Sequence, residues 1–240
     1  MLEWLPDFLR KLDLLAANPS MLMRVMTAER WPIHHGYTPA FLPRPADWRP
    51  GITVDGYWFL GPSTGWQPPA GLVDFLESGS PPVFVGFGSM APEDSERLSR
   101  VVSEAVRRAG VRAIVQAGWS GLAGAGDDVM SIGDVPHEWL FPRTAAVVHH
   151  GGAGTTGAGV RAGVPAVITP VLGDQPFWAK QVRRAGVSPG SVPLSKVTAD
   201  RLGELIGQAV REPSYRRNAA ELAQRVRQED GAGRIVEALG

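Results

Sequence analysis

Val147-Val148-His149-His150-Gly151-Gly152-Ala153-Gly154-Thr155-Thr156 is the stretch whose reading decides the fold. An apolar strand ends in imidazoles, turns on glycines and enters a helix. A short, wholly apolar strand with no polar alternation packs on both faces, as in a parallel sheet covered by helices. The turn after it also makes an anion site. Glycines let the backbone come close to a ligand, and the helix start adds free N–H groups and a partial positive charge. Asp174-Gln175 follow 24 residues after His150, just past the next apolar run.

The same rhythm extends in both directions. Apolar runs at 83–87, 111–116, 129–132, 145–149 and 166–169 read as strands. Helical spacing fills 92–109, 155–162 and 175–185, and three helices are expected at 198–211, 214–229 and 233–239. In the 92–109 helix, Leu98, Val101, Val102, Ala105 and Val106 are spaced to face inward. The alternation predicts an α/β fold, a Rossmann-like doubly wound parallel sheet. Upstream of residue 82 the regularity is lost. Residues 2–16 have leucines spaced for one helix face, and 31–70 read as extended and proline-punctuated, with strands expected at 41–42 and 54–59. This gives two parts: residues 1–60 as an appendage and residues 61–240 as the sheet domain.

Composition narrows the chemistry. Lys+Arg and Asp+Glu both number 24, so the formal net charge is zero and no global basic field draws nucleic acid or an anionic membrane. Phosphate binding must then rest on local backbone donors. The chain has no cysteine, which excludes disulfides, thiolate metal sites and cysteine nucleophiles, and fits a cytoplasmic protein. No apolar run approaches the ~18 residues of a membrane-spanning helix. His34-His35 have no partner at metal-ligand spacing, so no metal site is expected. No Ser/His/Asp order, paired carboxylates or Walker motif supplies a self-contained catalytic centre.

Each motif has a plain alternative. Gly152 through Gly157 is a literal GxGxxG, and Asp174 stands 20 residues beyond Gly154, as in a dinucleotide fold. Against that, the fingerprint normally follows the first strand, whereas at least three expected strands precede this one. Asp174 also suits the N-cap of the helix that follows it. Gly86-Phe87-Gly88-Ser89 ends the first strand with small residues and a hydroxyl, and is equally readable as a simple turn. Gly133-Asp134-Val135-Pro136-His137 offers a proline-held backbone edge that a flat base could pair with, or an ordinary turn. Thr155 and Thr156 add hydroxyl donors to the glycine turn, and Trp139 and Phe141 read as core.

Together these segments resemble the C-terminal half of GT-B glycosyltransferases of the UDP-glycosyltransferase superfamily, in the sterol glucosyltransferase and glycopeptide-antibiotic glycosyltransferase branch. The resemblance covers about residues 36–240. It is carried by Gly56-Tyr57-Trp58-Phe59-Leu60, by 82–90, by 147–156, by Gly173-Asp174-Gln175-Pro176-Phe177-Trp178 and by Gly186-Val187-Ser188-Pro189-Gly190. It implies that Ser89, His150, Gly152, Ala153, Gly154 and Thr155 hold the donor diphosphate. It also implies that Val135, through its backbone, and His137 hold base and ribose, and that Asp174 and Gln175 hold the transferred sugar. The tryptophan that stacks on uracil in the plant branch is replaced by Asp134 or Val135, and its ribose-binding glutamate by Ala158.

The expected partners are therefore a UDP- or dTDP-hexose donor, with no metal or other cofactor, and a lipophilic hydroxyl acceptor such as a sterol or polyketide. Full enzymes of the family carry an N-terminal acceptor domain with a catalytic histidine. Here residues 1–50 read as its last elements, so no catalytic base is assigned and self-association through residues 1–60 is expected. The rival reading is a non-catalytic nucleotide-sugar-binding module, or a subunit whose partner supplies the base.

Overall fold

The computed structural model describes residues 19–28, 30–61, 64–88, 94–118, 126 and 128–240. Two compact units are separable. One comprises residues up to 35 with 44–54, the other 36–43 with 55–240.

The described part of the first unit contains helix α1 (Pro19–Ala28) and two three-residue strands, β1 (Ile33–His35) and β2 (Ile52–Val54), paired in parallel with Ile33 opposite Ile52. Arg44 ties the loop before β2 by donating to the carbonyls of Ile52 and Trp48. The helix expected at 2–16 lies outside the described residues. The strand expected at 41–42 is a turn, and the one expected at 54–59 is only the end of β2 followed by irregular chain.

The second unit follows the expected rhythm. In chain order it runs α2 (Ala70–Glu77), β3 (Val83–Gly86), α3 (Ser95–Ala109), β4 (Ala113–Gln116), β5 (Val129–Ile132) and α4 (His137–Leu140). It continues with β6 (Ala146–His149), α5 (Ala153–Ala162), β7 (Ala166–Ile168), α6 (Gln175–Arg184), α7 (Ala199–Arg211), α8 (Pro213–Val226) and α9 (Gly231–Leu239). Sheet order is β5-β4-β3-β6-β7, with every pair parallel. The chain works outward from β3 to β5, then returns to β6 on the other side of β3. A doubly wound sheet opens a crevice where its order reverses, at the C-terminal ends of the strands. Here that point is β3 against β6, with Gly86 in register with His149.

Strand periodicity sorts the core. Val83 and Val85 face one side with Val115 and Val148, under α3 and α7 through Leu98, Val102, Leu202, Leu205 and Ile206. Phe84 faces the other side with Ile114, Val147 and Ile168, under Leu72, Val160, Val182, Leu222 and Val226 of α2, α5, α6 and α8. Both faces are covered, which is why the strands lack polar alternation. Helix α3 begins where the Asp94 carboxylate accepts the Arg97 N–H at 2.7 Å and ends at Gly110 in the left-handed region. Of the residues expected to face inward on α3, Leu98, Val102, Ala105 and Val106 are buried and Val101 is half-buried.

Candidate functional site

The glycine turn sits at the β3/β6 switch point. Gly151 adopts φ +92°, and a Cβ there would stand 2.6 Å from the Ile168 side chain and 3.3 Å from the Gln175 carbonyl oxygen. Only glycine fits, and the chain can therefore fold tightly against the end of β7. Gly152 is the N-cap of α5 and brings no capping side chain. A Cβ on Gly152 would stand 2.6 Å from His150 Nε2, so the backbone lies hard against the imidazole. The first N–H groups of α5, from Ala153, Gly154 and Thr155, have no acceptor within the helix and lie at the positive end of its dipole, just past the C-terminal end of β6.

The two adjacent histidines are used differently. His149 is fully buried, and its Nδ1 accepts the Gly151 N–H at 3.1 Å. That bond fixes the tautomer with hydrogen on Nε2, a buried atom without a partner. Burial pushes His149 down to about 3, helped by His150 and His137 nearby. His150 is half-buried with Gly88 against its ring, and its Nδ1 is buried without a partner. Burial pulls its pKa down, while the Asp174 carboxylate pulls the other way. Near neutral pH both rings are uncharged, so His150 can offer one N–H and no formal charge. Thr155 is partly exposed at the turn, whereas Thr156, expected beside it as a hydroxyl donor, has only 1% of its surface exposed and its Oγ1 sealed inside.

A cavity of about 580 Å³ opens beside this turn, lined by Trp66, Gly88, Gln116, Asp134, Val135 and His137 among others. Val135 is buried, with Pro136 as the N-cap residue of α4 behind it. The His137 ring stacks on Phe141 at 4.3 Å and meets Phe84 edge-on, so burial lowers its pKa and keeps it neutral. Gln116, the polar last residue of β4, reaches Gly133 and Asp134 with its amide nitrogen and holds that loop to the sheet. Ser89 lies outside the described residues; its neighbour Gly88 lines the cavity.

Sequence reasoning did not assign Trp66 or Gln116 to the site. Trp66 comes from proline-rich chain before α2 and stands edge-on to Trp139 at 5.4 Å. The one signal for Gln116 was a polar residue at the C-terminal edge of an apolar strand. Trp139 stands outside the 580 Å³ cavity, with the Arg143 guanidinium over its ring. Phe141 is fully buried core, as the sequence implied.

Asp174 ends the loop after β7, near enough for its charge to act on His150, and Gln175 is the first residue of α6. Asp174 holds the N-cap position but does not cap, because its carboxylate makes no bond to the helix start. Instead Asp174 Oδ2 accepts the Trp178 indole N–H at 2.6 Å. Gln175 is buried, and its Oε1 accepts the Val171 and Leu172 N–H groups at 2.7 and 3.1 Å, bracing the loop that carries Asp174. The pair thus divides into an exposed carboxylate and an inward amide.

His34 and His35 have structural surroundings. Thr53 Oγ1 lies 3.0 Å from His34 Nδ1, and the His35 ring tilts over Trp48 at 4.6 Å. Among the described residues no group of three or more His, Cys, Asp and Glu could hold a metal ion, and no helix is long and apolar enough to cross a membrane.

Residues 100–239 match the family described as erythromycin biosynthesis protein CIII-like, C-terminal domain. The sterol 3-beta-glucosyltransferase UGT80A2 of Arabidopsis thaliana is 40% identical over 212 residues, which cover 86% of this chain and 33% of that protein. The sterol 3-beta-glucosyltransferase of Candida albicans is 37% identical over 225 residues, covering 88% of this chain and 15% of that protein. Among solved structures, the calicheamicin glycosyltransferase CalG4 superposes with TM-score 0.69 at 17% identity, over 92% of this chain and 59% of that one. The last likeness is one of fold, and it agrees with the GT-B C-terminal architecture that the sequence implied. The chain spans about a third or less of the length of the curated relatives it matches.

Proposed function

Because the chain belongs to the erythromycin biosynthesis protein CIII-like, C-terminal domain family, we propose that it is the donor-binding part of an inverting glycosyltransferase. The donor is a UDP- or dTDP-hexose, and the parent reaction delivers the hexose to a hydroxyl of a lipophilic acceptor such as a sterol or polyketide. Residues 61–240 form the donor-binding domain in this reading, and residues 1–60 belong to the approach from an acceptor domain. The observation that carries the proposal is the turn at the switch point: His150, the Gly152 N-cap and the start of α5 converge beside a cavity of nucleoside size.

In this reading the diphosphate lies on the N–H groups of Ala153, Gly154 and Thr155 and on the His150 imidazole, with Ser89 reaching it from the β3 turn. The base and ribose occupy the cavity between Val135, His137 and Trp66. The hexose reaches Asp174, with Gln175 supporting it. As the glycosidic bond breaks, charge builds on the diphosphate, and fixed donors stabilise it without reorganising. Inversion follows from in-line attack by the acceptor hydroxyl on the opposite face. None of the residues placed here is a general base. The exposed Trp58 and Leu60, 52% and 86% accessible, support self-association through residues 1–60 as part of the same reading.

Calorimetric titration with UDP, dTDP and NADH tests it. Binding of a nucleoside diphosphate, weakened about tenfold or more in His150→Ala, is the expected result, since a hydrogen bond to a charged group contributes roughly 1.5–3 kcal/mol. An unchanged affinity in His150→Ala contradicts the phosphate role, and NADH binding in place of UDP contradicts the donor. A non-catalytic module would show the same binding. Turnover of UDP-glucose onto a hydroxyl acceptor once an acceptor domain is supplied in trans separates the two.

A further inference from the structure

Asp174 stands at the start of α6 with its backbone in the αR region (φ −84°, ψ −5°), and its side chain makes no bond to the helix N–H groups that an extended N-cap aspartate satisfies. Its carboxylate is engaged one helical turn ahead. Trp178 is at i+4 from Asp174, on the same face of α6, and its backbone N–H also donates to the Asp174 carbonyl at 3.1 Å. The indole N–H donates to Asp174 Oδ2 at 2.6 Å. The indole itself is 6% exposed and cannot swing. Tyr37 meets it edge-on at 5.7 Å, Phe41 at 6.3 Å and Phe177 at 5.2 Å. Tyr37 and Phe41 come from the 36–43 segment, which belongs to the same compact unit as the sheet.

We propose that Trp178 is a positioning residue for the hexose: its indole N–H, wedged by Tyr37, Phe41 and Phe177, fixes the Asp174 carboxylate in the orientation that receives vicinal hydroxyls. The inference rests on the donor-sugar reading above and assigns to it a residue that reading does not contain. An exposed carboxylate otherwise rotates freely, and ordering it on binding would weaken the hold on the sugar. A neutral donor on one oxygen removes that rotation without neutralising the charge. Oδ1 and the second lone pair of Oδ2 then remain to accept hydroxyl protons, a geometry suited to two adjacent equatorial groups. Gln175, with its carbonyl oxygen on the Val171 and Leu172 N–H groups, braces the loop that leads into Asp174. The sugar end of the crevice is thus built in tiers: carboxylate, indole, aromatic edges.

The test is the ratio of affinities for UDP-glucose and UDP, measured calorimetrically on the full chain. Trp178→3-benzothienylalanine, in which sulfur replaces the indole N–H, keeps the bicyclic shape packed by Tyr37, Phe41 and Phe177 and loses only the N–H. It is expected to leave UDP affinity unchanged and to shift the ratio about tenfold against UDP-glucose. In an Asp174→Ala background the same substitution is expected to shift nothing further. Equal loss for both ligands, or no change in the ratio, overturns the proposal. A wild-type chain that binds neither these ligands nor dTDP and dTDP-glucose overturns the donor reading and this proposal with it; if only the dTDP pair binds, the same ratio is read with dTDP-glucose and dTDP. A second readout needs no variant at Trp178. Its indole N–H resonance should move on adding UDP-glucose, stay still with UDP, and lose its hydrogen-bonded position in Asp174→Ala. An indole signal indifferent to Asp174→Ala and to the sugar also overturns it.

Discussion

At the residue scale, His149 and His150 show how one strand end can serve two purposes. Successive strand residues point to opposite faces, so one imidazole goes into the core and the other into the crevice. His149 must stay neutral to accept the Gly151 N–H, and burial takes its pKa from 6.5 down to about 3. The sign follows directly. The unfolded chain takes up a proton below pH 6.5 and the folded chain does not, so stability is full above that pH and is lost as pH falls toward 3. For one such histidine the slope is about 1.4 kcal/mol per pH unit. His137 and His150, also lowered by burial, act in the same direction, and Glu229, raised by burial, acts in the opposite one. Urea midpoints measured at successive pH values should fall below pH 6.5, and His149→Asn, whose carbonyl can still accept the Gly151 N–H, should flatten the fall. An identical pH profile in the variant would show that His149 does not carry the effect.

At the element scale, the α3–α7 layer covers one face of the sheet, while the proposed site lies at the ends of β3, β6 and β7. Leu205 of α7 is completely buried in that layer. Leu205→Ala should cost about 2–5 kcal/mol, a transfer and cavity effect. Asp94→Ala removes the N-cap bond of α3 and should cost about 1 kcal/mol. Both are measured by urea unfolding. Neither should alter nucleotide affinity, and a parallel loss of binding would mean that the layer and the crevice are energetically coupled.

At the scale of the whole molecule, the five strands of the doubly wound sheet were legible because each is an apolar run flanked by turn residues. Helix boundaries followed to within a few residues, since 3.6-residue spacing is strong in α3, α7 and α8. What escaped was short or assembled from afar. Helix α2 was missed because Pro68-Pro69 read as loop, although Pro69 stands as its N-cap residue. β1 is three residues long and contains two histidines, a pattern with no strand signature. The expected strand at 41–42 is a turn that delivers Phe41 to Trp178. The glycine turn and Asp174 were legible as local motifs. Trp66 and Gln116 were not, because only the closed sheet brings 66, 116 and 134–137 around one cavity. The self-association proposed through residues 1–60 is tested on the whole chain. Light scattering should give a mass above 25.7 kDa that falls to the monomer value when Trp58 and Leu60 are made polar. A monomer at all concentrations would contradict it.

In the proposed site a donor diphosphate sits on the turn between β6 and α5. Amide resonances of the nitrogen-labelled chain, followed during titration with UDP, test it most directly. Gly151 to Thr155 are expected to shift together and to saturate with the same affinity as Val135 and His137 in the cavity. Saturable binding that leaves the Gly151–Thr155 amides in place would contradict it, as would no shift with either UDP or dTDP at millimolar concentration.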